Sequence, residues 1–259
     1  MNKKELKNTI REINKKYGID IDELLGGGIA YGHFSVIWGM ESSGKTSLAY
    51  NLTAQAQKQG KTVYYIDLEN GFNSDRAKQF GVNLEDLIIG HFPIAEQSLD
   101  SILDLARKKL VDIIILDSIH GLSPKSELID KKGNKSVEDD TLALLARKLS
   151  QFFRMAIDPI KRANIAVLLI GQTRTSIGFI SLDQLSGGKA LKHYSVLTVH
   201  IRRGMKTDFP KERYEEDGKK KTRLIGFDTV LKITKTQTPG TKPELTEIHT
   251  PFLFDSGFP

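Results

Sequence analysis

Residues 39–46, Gly39-Met40-Glu41-Ser42-Ser43-Gly44-Lys45-Thr46, fit the pattern G-x-x-x-x-G-K-[ST] in full. The chemistry this spacing supports is the binding of a triphosphate. A loop of small residues lets consecutive backbone N–H groups converge on phosphate oxygens, and a helix behind it offers its unpaired N–H groups and positive dipole end to the same anion. Lys45 adds a full charge aimed at the β- and γ-phosphates, and the Thr46 hydroxyl can hold Mg²⁺. Carboxylates stand ready at two further points. Asp67 and Glu69 follow the apolar run 62–66, and Asp117 follows Ile113-Ile114-Ile115-Leu116, the form of an acid that holds Mg²⁺ through water. Each acid alone could be a solvated loop residue; beside the phosphate loop they become a constellation.

Such groups need a sheet to assemble them. Phe34-Ser35-Val36-Ile37-Trp38 predicts a buried strand entering the loop, and Ser47 to Ala56 has helical spacing without a breaker. Thr62 to Ile66, Ile113 to Leu116 and Ile165 to Ile170 predict further strands, the last delivering Gly171-Gln172. Between them Asp75 to Phe80 and Glu96 to Leu110 predict helices, the second burying Leu99, Ile102, Leu103 and Ala106. Strands that alternate with helices imply a mainly parallel α/β sheet, whose ligands bind outside the C-terminal strand ends where these acids lie. A long helix is expected from Thr141 to Ala156 or slightly beyond. Residues 124–135 and 173–188 are expected as loops, and strands at Ser195 to Arg202, Ile225 to Thr234 and Glu244 to Thr250 complete the chain. A charged stretch from Lys206 to Arg223, with Lys219-Lys220-Lys221, predicts a solvated hairpin.

At 259 residues the chain accommodates one large domain with appendages. A net charge of +6 and a pI near 9.2 agree with a polyanionic partner without requiring one. The absence of cysteine excludes disulfides and thiolate metal sites, and the six histidines are scattered. No run of about eighteen apolar residues occurs, and the Lys-rich start lacks the apolar stretch of a signal peptide. Leu6, Ile10, Ile13 and Tyr17 recur at helical spacing among lysines, so residues 3–17 predict an amphipathic helix that caps its own core or docks on a neighbouring subunit. Residues 1–25 are thus expected as that helix and a linker, and residues 26–259 as the core.

In sequence order, the loop 39–46, Tyr65-Ile66-Asp67-Leu68-Glu69, Asp117-Ser118 with Leu122-Ser123-Pro124-Lys125, Gly171-Gln172, and Gly187-Gly188-Lys189-Ala190-Leu191-Lys192 with Tyr194 together resemble the RecA-type recombinases along nearly the whole chain. The resemblance implies a RecA-like P-loop NTPase core: a mainly parallel twisted sheet flanked by helices, with antiparallel strands towards the C-terminus. The size matches the bare ATPase core, as in some bacteriophage versions, with a separate C-terminal domain expected to be absent or removed. The implied activity is a DNA-dependent ATPase, using ATP and Mg²⁺, that forms filaments on single-stranded DNA and promotes pairing and strand exchange with double-stranded DNA. The implied location is the cytoplasm, or the host cytoplasm for a bacteriophage protein, with no membrane partner.

Residue by residue, the resemblance implies that Gly39, Glu41, Ser42, Ser43, Gly44, Lys45, Thr46 and Ser47 hold the triphosphate, that Thr46 and Asp117 hold Mg²⁺, and that Glu69 orients or deprotonates the attacking water. Gln172 would sense the γ-phosphate, and Lys235, in preference to Lys232, would reach a neighbour's nucleotide. The first DNA loop, about 124–140, would contribute Lys125, Lys131, Lys132 and Lys135. The second, 173–188, would contribute Arg174, Ser176, Ile177, Gly178, Phe179, Gly187 and Gly188. Three positions depart from the family pattern. Gln237 stands where a second interface lysine is usual, Arg76 stands where an aromatic stacks on adenine, and the second loop is short, with Phe179, Ile180 and Leu182. Competing readings are a RecA-fold ring helicase or clock-type ATPase, and a weakly hydrolysing DNA-binding mediator. A small-molecule kinase fits least, because no Arg-rich lid is expected near the phosphates, with Arg174, Arg202 and Arg203 lying elsewhere.

Overall fold

The computed structural model describes residues 28–123, 139–175, 183–185, 189–204, 211–216, 219–237 and 247–258. Its centre is a sheet of apolar strands buried on both faces, as parallel strands between helical layers must be. β1 (Phe34–Gly39), β2 (Val63–Asp67), β3 (Leu87–Gly90), β4 (Ile113–Asp117), β5 (Ala166–Thr175) and β7 (Ser195–Arg203) pair in parallel, in the order β7-β1-β5-β4-β2-β3. β10 (Gly226–Thr236) joins antiparallel to β7, and β11 (Glu247–Leu253) antiparallel to β10. A short β6 (Asp183–Leu185) returns antiparallel onto β5, and β8 (Lys211–Glu216) with β9 (Lys219–Leu224) forms a separate hairpin.

Side chains alternate along each strand, so the sheet carries two cores. On one face Ile37, Tyr65, Ile115 and Leu168 pack under α1 (Lys45–Lys58) and α2 (Ser74–Gln79). On the other, Phe34, Ile66, Ile114 and Val167 pack under α3 (Ala95–Lys108), α4 (Asp139–Ala163) and α5 (Lys189–Tyr194). The expected stripe Leu99, Ile102, Leu103 and Ala106 is the buried face of α3.

The structure extends the sequence reading in four places. β3 is an additional edge strand of four residues, too short for periodicity to reveal, with Ile88 turned out to solvent. The helix expected to end near Ala156 continues to Ala163 through Pro159; the burial of Ile160 beside Phe152 and Phe153 outweighs the amide that proline removes. Residues 173–175 and 183–185 are strand rather than loop, because Thr173 pairs with Leu185 and Thr175 with Asp183. The closing strand, Glu247–Leu253, runs past the expected end at Thr250, and the expected residues 244–246 lie outside the described residues. The charged hairpin is present as β8–β9. The helix expected at 3–17 and most of the first loop lie outside the described residues. Among the described residues no helix is long and apolar enough to cross a membrane.

Candidate functional site

β1, β2, β4 and β5 are adjacent and parallel, so their C-terminal ends bring the phosphate loop, Glu69, Asp117 and Gln172 to one edge. At Gly39 the chain runs against β7 so closely that an added Cβ would stand 2.0 Å from the Ile201 carbonyl oxygen. Gly39→Ala is therefore expected to cost about 3 kcal/mol, as overpacking does where backbone cannot yield. Urea denaturation reads this directly; a loss below about 1 kcal/mol, the low end of overpacking costs, would mean that β7 can shift. Gly44 turns the chain into α1 at φ 98°, a left-handed conformation that glycine adopts without strain. Phe252 and Phe258 lie behind it, 3.7 and 3.3 Å from where its Cβ would be. Gly44 brings no side-chain cap, so the first N–H groups of α1 remain available to an anion.

Within the loop, the Lys45 Nζ donates to the carbonyls of Gly39 at 3.0 Å and Met40 at 2.6 Å. Burial lowers its pKa, while Asp117, Glu69 and Glu41 pull it back towards the charged form. The Ser43 side chain is buried and its Oγ has no hydrogen-bond partner among the described residues. Thr46 Oγ1 donates to Asp117 Oδ2 at 2.8 Å, and the Tyr65 hydroxyl donates to the same oxygen at 2.7 Å. Burial raises the Asp117 pKa; those two hydrogen bonds oppose the shift, and the charges of Glu69 and Asp67 add to it. Hard oxygen donors on Thr46 and Asp117, beside a cationic loop, fit Mg²⁺ held with a polyphosphate.

Glu69 is placed by the register beyond β2 and β4, where the Leu68 amide donates to the Asp117 carbonyl at 2.8 Å. Its Oε1 accepts from the Gln172 Nε2 at 3.0 Å and from the Ser118 Oγ. The Gln172 backbone N–H in turn donates to His120 Nδ1 at 3.3 Å. From sequence, Ser118 figures only as part of the Asp117-Ser118 block, with no role assigned, and His120 is not singled out; nearness to Asp117 is the one signal for both. Asp67, by contrast, is a staple. Its carboxylate accepts from the Gly71 and Phe72 amides at 3.1 and 2.9 Å and shapes the turn that carries Glu69.

Other expected residues stand apart from this cluster. The Arg76 guanidinium lies over the Phe80 ring, 4.9 Å from its centroid, on α2. Lys235 donates to the carbonyls of Lys192, His193 and Ser195 at 2.7, 2.9 and 2.6 Å, closing the C-terminal end of α5 within its own chain. Burial, then the charge of Lys192, lowers its pKa. Arg203 corrects the expectation that it lies away from the phosphate loop. Its Nε donates to the Ser42 carbonyl at 3.2 Å and its guanidinium lies 4.4 Å from the Phe227 centroid, because β7 ends alongside β1. Arg174 lies in β5, paired with Gln184. Lys125, Lys131, Lys132, Lys135, Ser176, Ile177, Gly178, Phe179, Gly187 and Gly188 fall outside the described residues.

The family model described as RecA N-terminal domain matches residues 3–257. Protein RecA of Marinobacter nauticus is 39% identical over 188 residues, an alignment that covers 71% of this chain and 53% of that protein. The chain spans about half the length of the curated relative it matches.

Proposed function

Because the chain belongs to the RecA N-terminal domain family, we propose that it is a DNA-dependent ATPase, using ATP and Mg²⁺, that assembles as a filament on single-stranded DNA and promotes homologous pairing and strand exchange. The observation that carries this reading is Glu69 Oε1 accepting from Gln172 Nε2 beside the Thr46–Asp117 pair. It supports the reading by bringing to one sheet edge the residues here taken as base, γ-phosphate sensor and metal-binding pair.

In this reading the loop amides and Lys45 cradle the phosphates, and Thr46 with Asp117 holds the metal. Magnesium, when bound, neutralises charge that develops between the β- and γ-phosphate oxygens. Glu69 accepts the proton of the attacking water, or aims that water in line with the γ-phosphorus. Gln172 Nε2 carries two N–H groups, and the one that meets Glu69 is given up if the side chain turns to donate to a phosphate oxygen. Transfer of that amide to the γ-phosphate would free Glu69 for water and pull on β5, which runs directly into the β5–β6 hairpin. The segment between these strands would contact DNA, so nucleotide state and DNA affinity would be coupled by about 1–3 kcal/mol.

Three measurements test the proposal. The ATPase rate should rise when single-stranded DNA is added; a rate indifferent to DNA removes the DNA-dependent part. Electron microscopy with ATP and single-stranded DNA separates helical filaments from the rings of a helicase or clock-type ATPase. Gln172→Ala should bind ATP within a few-fold of the parent, yet bind a labelled oligonucleotide equally well with ADP or a non-hydrolysable ATP analogue. A variant that keeps the parent's ratio of the two DNA affinities has its switch elsewhere.

A further inference from the structure

Tyr65 is almost completely buried in the middle of β2, yet its polar end points at the site. Its ring is fixed from two directions. It packs edge-on to Phe72, with centroids 5.3 Å apart, and tilted against Tyr50 on α1 at 5.9 Å. Phe72 belongs to the turn stapled by Asp67, which carries Glu69, and α1 begins at the phosphate loop. The phenol thus has little freedom, and its proton is committed to Asp117 Oδ2 at 2.7 Å.

The Thr46 hydroxyl reaches the same oxygen at 2.8 Å. A hydroxyl whose single proton is committed to a carboxylate has only lone pairs left to offer. The direction in which Thr46 presents those lone pairs therefore depends on where Asp117 Oδ2 is held. Both donors meet Oδ2 rather than Oδ1, so Tyr65 and Thr46 together fix the carboxylate by one oxygen.

We propose that Tyr65 is a positioning residue for the metal-binding pair: its hydroxyl anchors Asp117, and through Asp117 it aims the Thr46 lone pairs at Mg²⁺. The inference rests on the nucleotide–magnesium reading above. A phenol buried only for packing would also need a hydrogen-bond partner. The two roles differ in what is lost when the oxygen is removed, since the packing role affects stability alone.

The experiment measures binding of a fluorescent ATP analogue by anisotropy across a Mg²⁺ titration at fixed pH, with a parallel series in EDTA. Tyr65→Phe keeps the ring and deletes one oxygen. It is expected to raise the Mg²⁺ concentration at half-maximal binding about tenfold, the low end for residues that orient metal ligands. Affinity in EDTA should stay within about twofold of the parent, because the phosphate loop is untouched. Tyr50→Phe is the control, since its hydroxyl accepts from the Asn73 amide and meets neither Asp117 nor Thr46; it should leave both values unchanged. An unaltered Mg²⁺ midpoint in Tyr65→Phe overturns the proposal. A second measurement places both substitutions in an Asp117→Ala background, where no oxygen remains for the Tyr65 hydroxyl to hold and its deletion should add nothing to the midpoint. A full tenfold addition there also overturns it. A parent whose nucleotide affinity ignores Mg²⁺ would overturn the functional reading itself, and that result is distinct from either of the others.

Discussion

Glu69→Gln is expected to lower ATP turnover by about 10²–10⁴-fold, the range for loss of a general base, while nucleotide affinity stays within a few-fold of the parent. The substitution is close to isosteric, and the new amide oxygen can still accept from Gln172 Nε2 and Ser118 Oγ, the two donors that meet Glu69 Oε1. What the amide cannot do is take a proton from water. The affinity should survive because Glu69 stands at the end of β2, while the phosphate contacts come from the loop after β1 and the first turn of α1. Single-turnover hydrolysis with labelled ATP, paired with equilibrium binding, separates the two quantities. Turnover at the parent's rate would exclude Glu69 as the base.

Lys45→Ala should reduce turnover by about 10²–10³-fold at least, the loss found when one donor to a developing charge is removed, and should weaken triphosphate more than diphosphate binding. The side chain is nearly buried and its ammonium is held by two loop carbonyls, so it is delivered to the phosphates from inside the loop rather than from solvent. Stability should respond differently from activity. Burial lowers the Lys45 pKa in the folded protein, so over the window between that value and the ordinary lysine value the unfolded chain binds more protons. Stability of the parent relative to Lys45→Ala is then expected to rise with pH across that window. Thermal melts at a series of alkaline pH values check the sign, and a parent that loses relative stability there would contradict the burial assigned to this lysine.

Contiguous features of the site were legible in the sequence. The loop 39–46 lies in one unbroken stretch, and Glu69, Asp117 and Gln172 each follow an apolar run whose end sets their position. Parallel pairing of those runs then brings them together. What was not legible depends on pairings between distant segments. Arg203 meets Ser42 only because β7 lies beside β1, and Tyr65 meets Asp117 only because β2 lies beside β4. β3 contributes too few residues for a period, and Pro159 signals a helix end that tertiary burial overrides. Lys235 shows a different limit. A lysine's type and place do not reveal that its donors meet the carbonyls at the end of α5 within its own chain.

Trp38 precedes Gly39 in β1, and its indole stacks on His200 with ring centroids 4.0 Å apart and planes 17° from parallel, its Nε1 donating to Thr234 at 3.4 Å. It is the only tryptophan in the chain. The protein therefore carries its own optical reporter, one peptide bond from the phosphate loop, with an imidazole stacked on it. Emission under selective indole excitation comes from this single place, so any displacement of β1 against β7 when the loop closes on an anion changes brightness without a label. Because the stacking partner sits on β7, the strand that ends at Arg203, the same signal records motion from both sides of the loop.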